Sequence, residues 1–156
     1  MIFFLNNMYE IINEPRNNIY SKLVDFLIKN CNAFILVKKD QLKFNENCEK
    51  IINSLKPYLI NEYKSDEWPG TKLLGNYANI YNFECNLNTS EILKNACVGL
   101  YSWLSPNFPE DICFYVSNDP FLVTISHEKT GLLNNIENKI VLFKNELPEI
   151  RLECFD

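Results

Sequence analysis

The sequence predicts an α+β fold, in which about three helices pack on one face of a mainly antiparallel β-sheet. The length of 156 residues fits a single domain covering residues 1–156, and it is sufficient to bury a hydrophobic core. The predicted elements follow the order helix, strand, helix, strand, helix and then a run of strands. That order favours helices gathered on one face of the sheet, because each helix must bury its apolar stripe against another layer.

Three segments have apolar residues at helical spacing, and each predicts an amphipathic helix. In the second of them Pro57 should end the helix, because proline lacks an N–H group and its ring clashes with the preceding turn. Thr89 or Ser90 could cap the third, since a side-chain oxygen there can accept a hydrogen bond from the first turn. The segments are residues 19–28, 45–59 and 89–104.

The strand predictions rest on short apolar runs and on alternation of apolar with polar residues. The sequence Ser-Asn-Asp-Pro at residues 117–120 separates two such runs and predicts the turn of a β-hairpin. Pro69 and Gly70 predict another turn, inside a loop over residues 64–75. The tail, residues 147–155, is ambiguous, although its alternation suggests a strand. The predicted strands are residues 33–37, 81–87, 112–116, 121–126 and 140–143.

The charge and composition argue against several classes of function. The net charge is −5, and no basic stripe is present of the kind that nucleic-acid binding normally requires. Only four glycines occur, which disfavours glycine-rich phosphate loops, and we expect no cofactor. The single histidine and the absence of a CxxC motif predict no metal site. An acidic protein suits a basic partner, although solubility alone would also explain this charge.

The sequence also favours a cytoplasmic location. The N-terminal run of residues 1–10 lacks the basic region and cleavage site of a signal peptide. No apolar run approaches the length of about 20 residues that a membrane span requires. The six cysteines are scattered along apolar segments, where free cysteine behaves as a small hydrophobic residue, and this pattern indicates a reducing compartment.

Two acidic clusters are candidate binding sites for a partner. Asp66, Glu67 and Trp68 lie in the predicted loop, and a surface tryptophan beside two acids resembles a hot spot for a basic surface. The alternative is a tryptophan that folds back onto the core. Glu110 and Asp111 could form an exposed acidic patch or an acid–base pair, whereas Asp111 alone could serve a turn or a cap.

His127 and Glu128 are the alternative catalytic candidates. A histidine beside a carboxylate can act as a general base. Neighbouring residues of a strand point to opposite faces, however, so these two side chains need not meet. A histidine that closes a strand with a satisfied hydrogen bond is the structural alternative.

A resemblance to a known family comes from residues 101–128. Within this segment the pattern of residues resembles small bacterial immunity proteins, which protect cells against polymorphic toxins, including those of contact-dependent growth inhibition. The resemblance implies a cytoplasmic, non-catalytic protein that binds one cognate toxin domain, often a nuclease or another RNA-directed toxin, and blocks its active site. The residues that carry it are Trp103, Pro106, Pro109, Glu110, Asp111, Phe114, Tyr115, Ser126, His127 and Glu128.

Three hypotheses follow from the sequence. The first is an immunity protein that contacts a basic toxin through Asp66, Glu67, Trp68, Glu110 and Asp111. The second is a small cytoplasmic enzyme that uses His127 with a carboxylate such as Glu128. The third is a non-catalytic interaction module, either a monomer or a weak homodimer that forms through an exposed strand edge. No nucleic acid or membrane is expected as a partner.

Overall fold

The computed structural model of the chain describes residues 8–155. Residues 1–7, which carry most of the N-terminal apolar run, lie outside this range, as does residue 156. The described helices are α1 (Asn18–Asn30), α2 (Glu46–Leu55), α3 (Leu87–Ala96) and α4 (Lys139–Glu146). The described strands are β1 (Met8–Ile11), β2 (Ala33–Lys39), β3 (Leu59–Ser65), β4 (Glu67–Trp68), β5 (Thr71–Lys72), β6 (Ala78–Glu84), β7 (Glu110–Val116), β8 (Asp119–Ile125), β9 (Thr130–Asn134) and β10 (Leu152–Phe155).

Eight of these strands form one sheet in the order β10-β1-β9-β8-β7-β2-β6-β3. All of its neighbouring pairs are antiparallel, so the α+β prediction with a mainly antiparallel sheet is confirmed. The two edges are β3 and β10. The remaining described strands, β4 and β5, pair with each other and form a small hairpin. None of the described helices is long and apolar enough to cross a lipid bilayer.

The two faces of the sheet are covered differently. Buried residues of all four helices belong to one large hydrophobic cluster with one face of the sheet, which we call the helix face. Phe34 lies at the centre of this core, and its ring centroid is 5.5 Å from that of Phe83 and 5.2 Å from that of Phe114. The opposite face, which we call the open face, has a smaller apolar cluster that includes Ile35, Ile80 and the hairpin residue Trp68.

Side-chain caps start two of the helices, α2 and α3. The Asn45 side chain accepts hydrogen bonds from the first turn of α2, and α2 ends before Pro57, as predicted. The expectation that Thr89 or Ser90 caps α3 is wrong, because α3 begins two residues earlier. Its cap is Asn86, whose side chain accepts from the Thr89 N–H at 2.9 Å, while the Thr89 hydroxyl accepts from the Asn86 N–H at 2.9 Å. This reciprocal pair is a capping box.

Two further expectations are corrected. Residues 140–143 form the start of α4 and not a strand, because Ile140, Phe143 and Leu147 recur at helical spacing and are buried, whereas Val141 and Leu142 are exposed. The predicted loop over residues 64–75 contains the end of β3 and the whole hairpin. The hairpin of β7 and β8 is confirmed, with its turn at residues 117–118, while β1 and β9 have no counterpart among the predicted strands.

Candidate functional site

The β4–β5 hairpin lies across the open face of the sheet. Its turn is formed by Pro69 and Gly70, as the sequence predicts. Gly70 has a φ of +89°, and a Cβ atom at this position would lie 3.0 Å from Cγ1 of Val123 and 3.1 Å from Cγ1 of Ile125. Both the backbone conformation and this close approach to β8 require glycine. The hairpin is therefore seated on the sheet by contact at its turn.

A buried hydrogen bond anchors the hairpin. Trp68 is 3% exposed, and its indole Nε1–H donates to Oδ2 of Asp111 at 3.1 Å. The other carboxyl oxygen of Asp111 accepts from the backbone N–H of Ser126 at 2.9 Å. Asp111 thus joins the hairpin to the end of β8, and it is itself fully buried.

A β-bulge positions Asp111 for these contacts. The pairing register of β2 with β7 shifts between Ile35 and Val37, which face Cys113 and Glu110, respectively. Within the shift Asp111 adopts a φ of +53°, a left-handed conformation that aspartate tolerates better than most residues. A bulge changes the direction of a side chain that regular pairing would place elsewhere. Asp111 therefore lies at a bulge inside β7 and not in a turn or at a helix cap, the two structural roles considered for it.

Glu110 is also buried, at 2% exposure. Its Oε2 accepts from the Ser105 N–H at 3.3 Å, and its Oε1 lies 3.3 Å from Nζ of Lys39 without the alignment of a hydrogen bond. The Lys39 ammonium also lies 6.0 Å from the centroid of the Trp68 ring. Lys39 therefore links the buried glutamate to the tryptophan that anchors the hairpin.

These observations correct the expectation of exposure for three of the candidate contacts. Trp68, Glu110 and Asp111 are buried, so none of them is the exposed contact that was expected, and Trp68 reaches the surface only where it lines a groove beside the hairpin. Adjacent residues of a strand point to opposite faces, and burial of Trp68 consequently turns Glu67 outward. The structure brings Trp68 and Asp111 together, but it uses them to hold the hairpin.

Asp66 and Glu67 present the acidic outer surface of the hairpin. Asp66 accepts a hydrogen bond from Nζ of Lys72 at 2.7 Å, with 35% of the aspartate side chain and 47% of the lysine side chain exposed. This bond lowers the pKa of Asp66 below its ordinary value, so the carboxylate stays charged at neutral pH. Glu67 is exposed. Among the five partner-binding candidates, only these two are accessible.

A groove adjoins the hairpin on the open face, and we call it the tyrosine groove. It consists of two neighbouring hollows of about 160 Å³ each. Burial raises the pKa values of Tyr63 and Tyr115 above the ordinary value for tyrosine, so both phenols are neutral hydrogen-bonding groups at physiological pH. The groove combines aromatic surface with amide groups. Its lining includes Tyr63, Glu67, Trp68, Tyr115, Asn118 and Asn82.

Strand β3 borders the tyrosine groove at the edge of the sheet. Among the described strands it pairs only with β6, and Ile60 and Tyr63 are 56% and 45% exposed. Residues 61–65 pair with β6 in a regular register, from Asn61 opposite Asn82 to Ser65 opposite Ala78. The other side of this strand therefore presents backbone groups that no described strand of the sheet bonds.

His127 and Glu128 lie in a single 3-10 turn, Ser126–Glu128, directly after β8. The histidine Nε2 is 4.0 Å from Oε1 of Glu128, beyond hydrogen-bond distance, and the two side chains are 53% and 58% exposed. Neither side chain lines the tyrosine groove. The expected strand geometry does not apply here, since the turn places both side chains on the surface. The two side chains are therefore exposed and do not form a hydrogen bond with each other.

Within residues 8–155, no group of three or more histidine, cysteine, aspartate or glutamate side chains is arranged to hold a metal ion. Comparisons of the chain with protein-family models, with curated proteins and with solved structures found no match.

The sequence reasoning missed the tyrosine groove and the role of Lys39. Tyr63 belonged to a segment without clear alternation, and Tyr115 was placed on a strand without a face assigned to it. The available signal for Lys39 was its position at the end of the apolar run that forms β2. A lysine there can bury its chain along the sheet and bring its ammonium to a buried carboxylate.

Proposed function

We propose that this protein is an immunity protein that binds a basic toxin domain, such as a nuclease, and blocks its active site. The observation that carries the proposal is the anchored hairpin. The Trp68–Asp111 hydrogen bond holds the hairpin, and Asp66 and Glu67 are presented on its outer side. A pre-ordered loop loses less conformational entropy on binding than a mobile one.

The surroundings of the hairpin support the same proposal. The tyrosine groove supplies aromatic surface of the kind that is enriched in binding hot spots, directly beside the acidic pair. The net charge of −5 favours rapid encounter with a basic domain. The resemblance of residues 101–128 to immunity proteins is consistent with this arrangement, since the segment contributes Asp111 and Tyr115 to the hairpin anchor and the groove.

The direct test is binding to toxin domains that are encoded beside this chain in its source genome. The tagged protein would be used in pull-down experiments and then in titration calorimetry with each captured domain. We expect a one-to-one complex with a dissociation constant in the nanomolar range or below, which corresponds to about −12 kcal/mol or more. Absence of binding to every neighbouring toxin domain would contradict the proposal.

The contact residues are tested by charge reversal. The double variant Asp66→Lys with Glu67→Lys should reduce the association rate constant about tenfold at low salt, because it reverses the charge that attracts the basic partner. The matched control is Glu146→Lys with Glu153→Lys, which changes the net charge equally at exposed positions outside the hairpin. Stopped-flow or surface-based kinetics would measure both. Equal effects of the two double variants would remove the hairpin from the interface.

A further inference from the structure

We infer that the β3 edge is a self-association surface and that its occupant is the β3 strand of a second copy of this chain, paired antiparallel about a two-fold axis at Tyr63. The inference does not require toxin binding, because it uses the backbone edge of the sheet and not the acidic pair on the hairpin, although Tyr63 also lines the tyrosine groove. It begins from the exposed residues of this strand and from its outer side, which no described strand pairs.

The regular part of β3 is centred on Tyr63. The strand carries an irregularity between Leu59 and Asn61, after which residues 61–65 follow an unbroken register with β6. Tyr63 lies opposite Ile80 of the open-face cluster, whereas Glu62 lies opposite Tyr81 of the helix-face cluster. Since side chains alternate between faces, Lys64 shares the helix face with Glu62.

Continuation of the sheet across a two-fold axis restricts the possible registers. Residues that oppose each other across an antiparallel pair lie on the same face. An axis at Tyr63 therefore places Tyr63 opposite its counterpart, and it places Glu62 of each copy opposite Lys64 of the other. Asn61 would face Ser65. The edge is then complementary to itself, with one aromatic pair and two opposite-charge pairs, in each of which Glu62 of one copy approaches the Lys64 of the other that is already ion-paired with Asp40 of its own chain.

The neighbouring registers are electrostatically unfavourable. An axis at Glu62 would bring two glutamates together, and an axis at Lys64 would bring two lysines together while Glu62 faces Asp66. Like charges directly opposite each other destabilise a strand pair. An axis at Ser65 would pair Lys64 with Asp66, but it would extend the pairing past Ser65, where β3 ends. The register centred on Tyr63 is the one that pairs all of residues 61–65 with each other and brings no like charges together. This self-complementary register is the reason to assign a second copy of the chain to the edge.

The predicted contact is limited to one strand edge, so we expect a weak dimer. Light scattering coupled to size-exclusion chromatography, over micromolar to millimolar concentrations, should show the mass rising from monomer toward dimer. A monomer mass that stays constant over this range would overturn the inference.

Complementary charge variants test the register itself. Glu62→Lys gives a chain with two lysines at positions 62 and 64, and Lys64→Glu gives a chain with two glutamates there. Each variant alone should raise the dimer dissociation constant roughly tenfold or more, because both cross-strand pairs become like-charged. A mixture of the two variants should restore association, since every opposing pair is again Glu with Lys.

The control is Glu153→Lys on β10, at the opposite edge of the same sheet, and this variant should dimerise like the unchanged chain. Circular dichroism would establish that every variant is folded before its mass is compared. Failure of the mixture to restore the dimer would overturn the proposed register. A dimer that both single variants retain, or that Glu153→Lys disrupts, would place the contact elsewhere and overturn the inference.

Discussion

The Trp68–Asp111 hydrogen bond joins two residues that lie 43 positions apart. Each was a plausible surface residue when considered alone, because acidic neighbours and turn-forming residues surround both. The structure reverses that interpretation through burial of the indole and of the carboxyl group. A buried acceptor that loses its donor retains its desolvation cost. Loss of this single hydrogen bond should therefore lower the stability of the folded protein measurably.

Replacement Trp68→Phe should lower the free energy of unfolding by about 1–3 kcal/mol, because it removes the Nε1–H donor and leaves Oδ2 of Asp111 without this partner. Urea denaturation monitored by circular dichroism would measure the change. Hydrogen exchange at the hairpin amides should accelerate in the same variant. Unchanged stability together with unchanged exchange would show that packing of the ring, and not the hydrogen bond, holds the hairpin.

At the scale of elements, α4 shows that a short apolar run can be predicted as a strand although it forms a helix. Ile140, Val141, Leu142 and Phe143 form a continuous apolar sequence, which is typical of a buried strand. Only two of the four are buried. The Phe143 ring packs edge-on against Phe26 of α1, with centroids 5.2 Å apart and an interplanar angle of 81°. The contact partners, and not the local hydrophobicity, decide that this segment is helical.

The helical assignment of α4 predicts unequal costs for two substitutions. Phe143→Ala should destabilise the protein by about 3–5 kcal/mol, because it opens a cavity in the helix-face core. Val141→Ala, at a side chain that is 60% exposed, should change stability by less than about 0.5 kcal/mol. Thermal or chemical unfolding of both variants would measure the difference. Similar costs at the two positions would contradict the burial pattern of a helix.

The predictable elements are those whose signals are local. The periodicity of α2 and the cap at Asn45 lie within a few residues of each other, and so do the two strands and the turn of the β7–β8 hairpin. In contrast, β3 is recognised only through its pairing with β6. The tyrosine groove likewise depends on tertiary contacts, because it joins residues of β3, β4 and β7. Sequence patterns therefore indicated the fold class. The residues that form the groove and the sheet edge could be identified only after the strands were placed in the sheet.

At the scale of the whole molecule, the acidic charge should act mainly on encounter with a partner. If a basic toxin is the partner, the association rate constant should fall several-fold as ionic strength rises from about 0.05 to 0.5 M, because the screening length becomes shorter. The dissociation rate constant should change much less. Kinetic measurements at constant pH would test this, and an association rate that is independent of salt would rule out electrostatic attraction as the source of rapid binding.

The position of β1 in the sheet affects the order in which the strands can pair during folding. The residues of β1 leave the ribosome before their sheet partners, since Met8 of β1 pairs with Asn134 of β9 and with Phe155 of β10. Pairings over such long separations slow folding, because the entropy of closing the loop is lost before any contact forms. During synthesis β1 therefore remains without its two sheet partners until β9 and β10 have also been made.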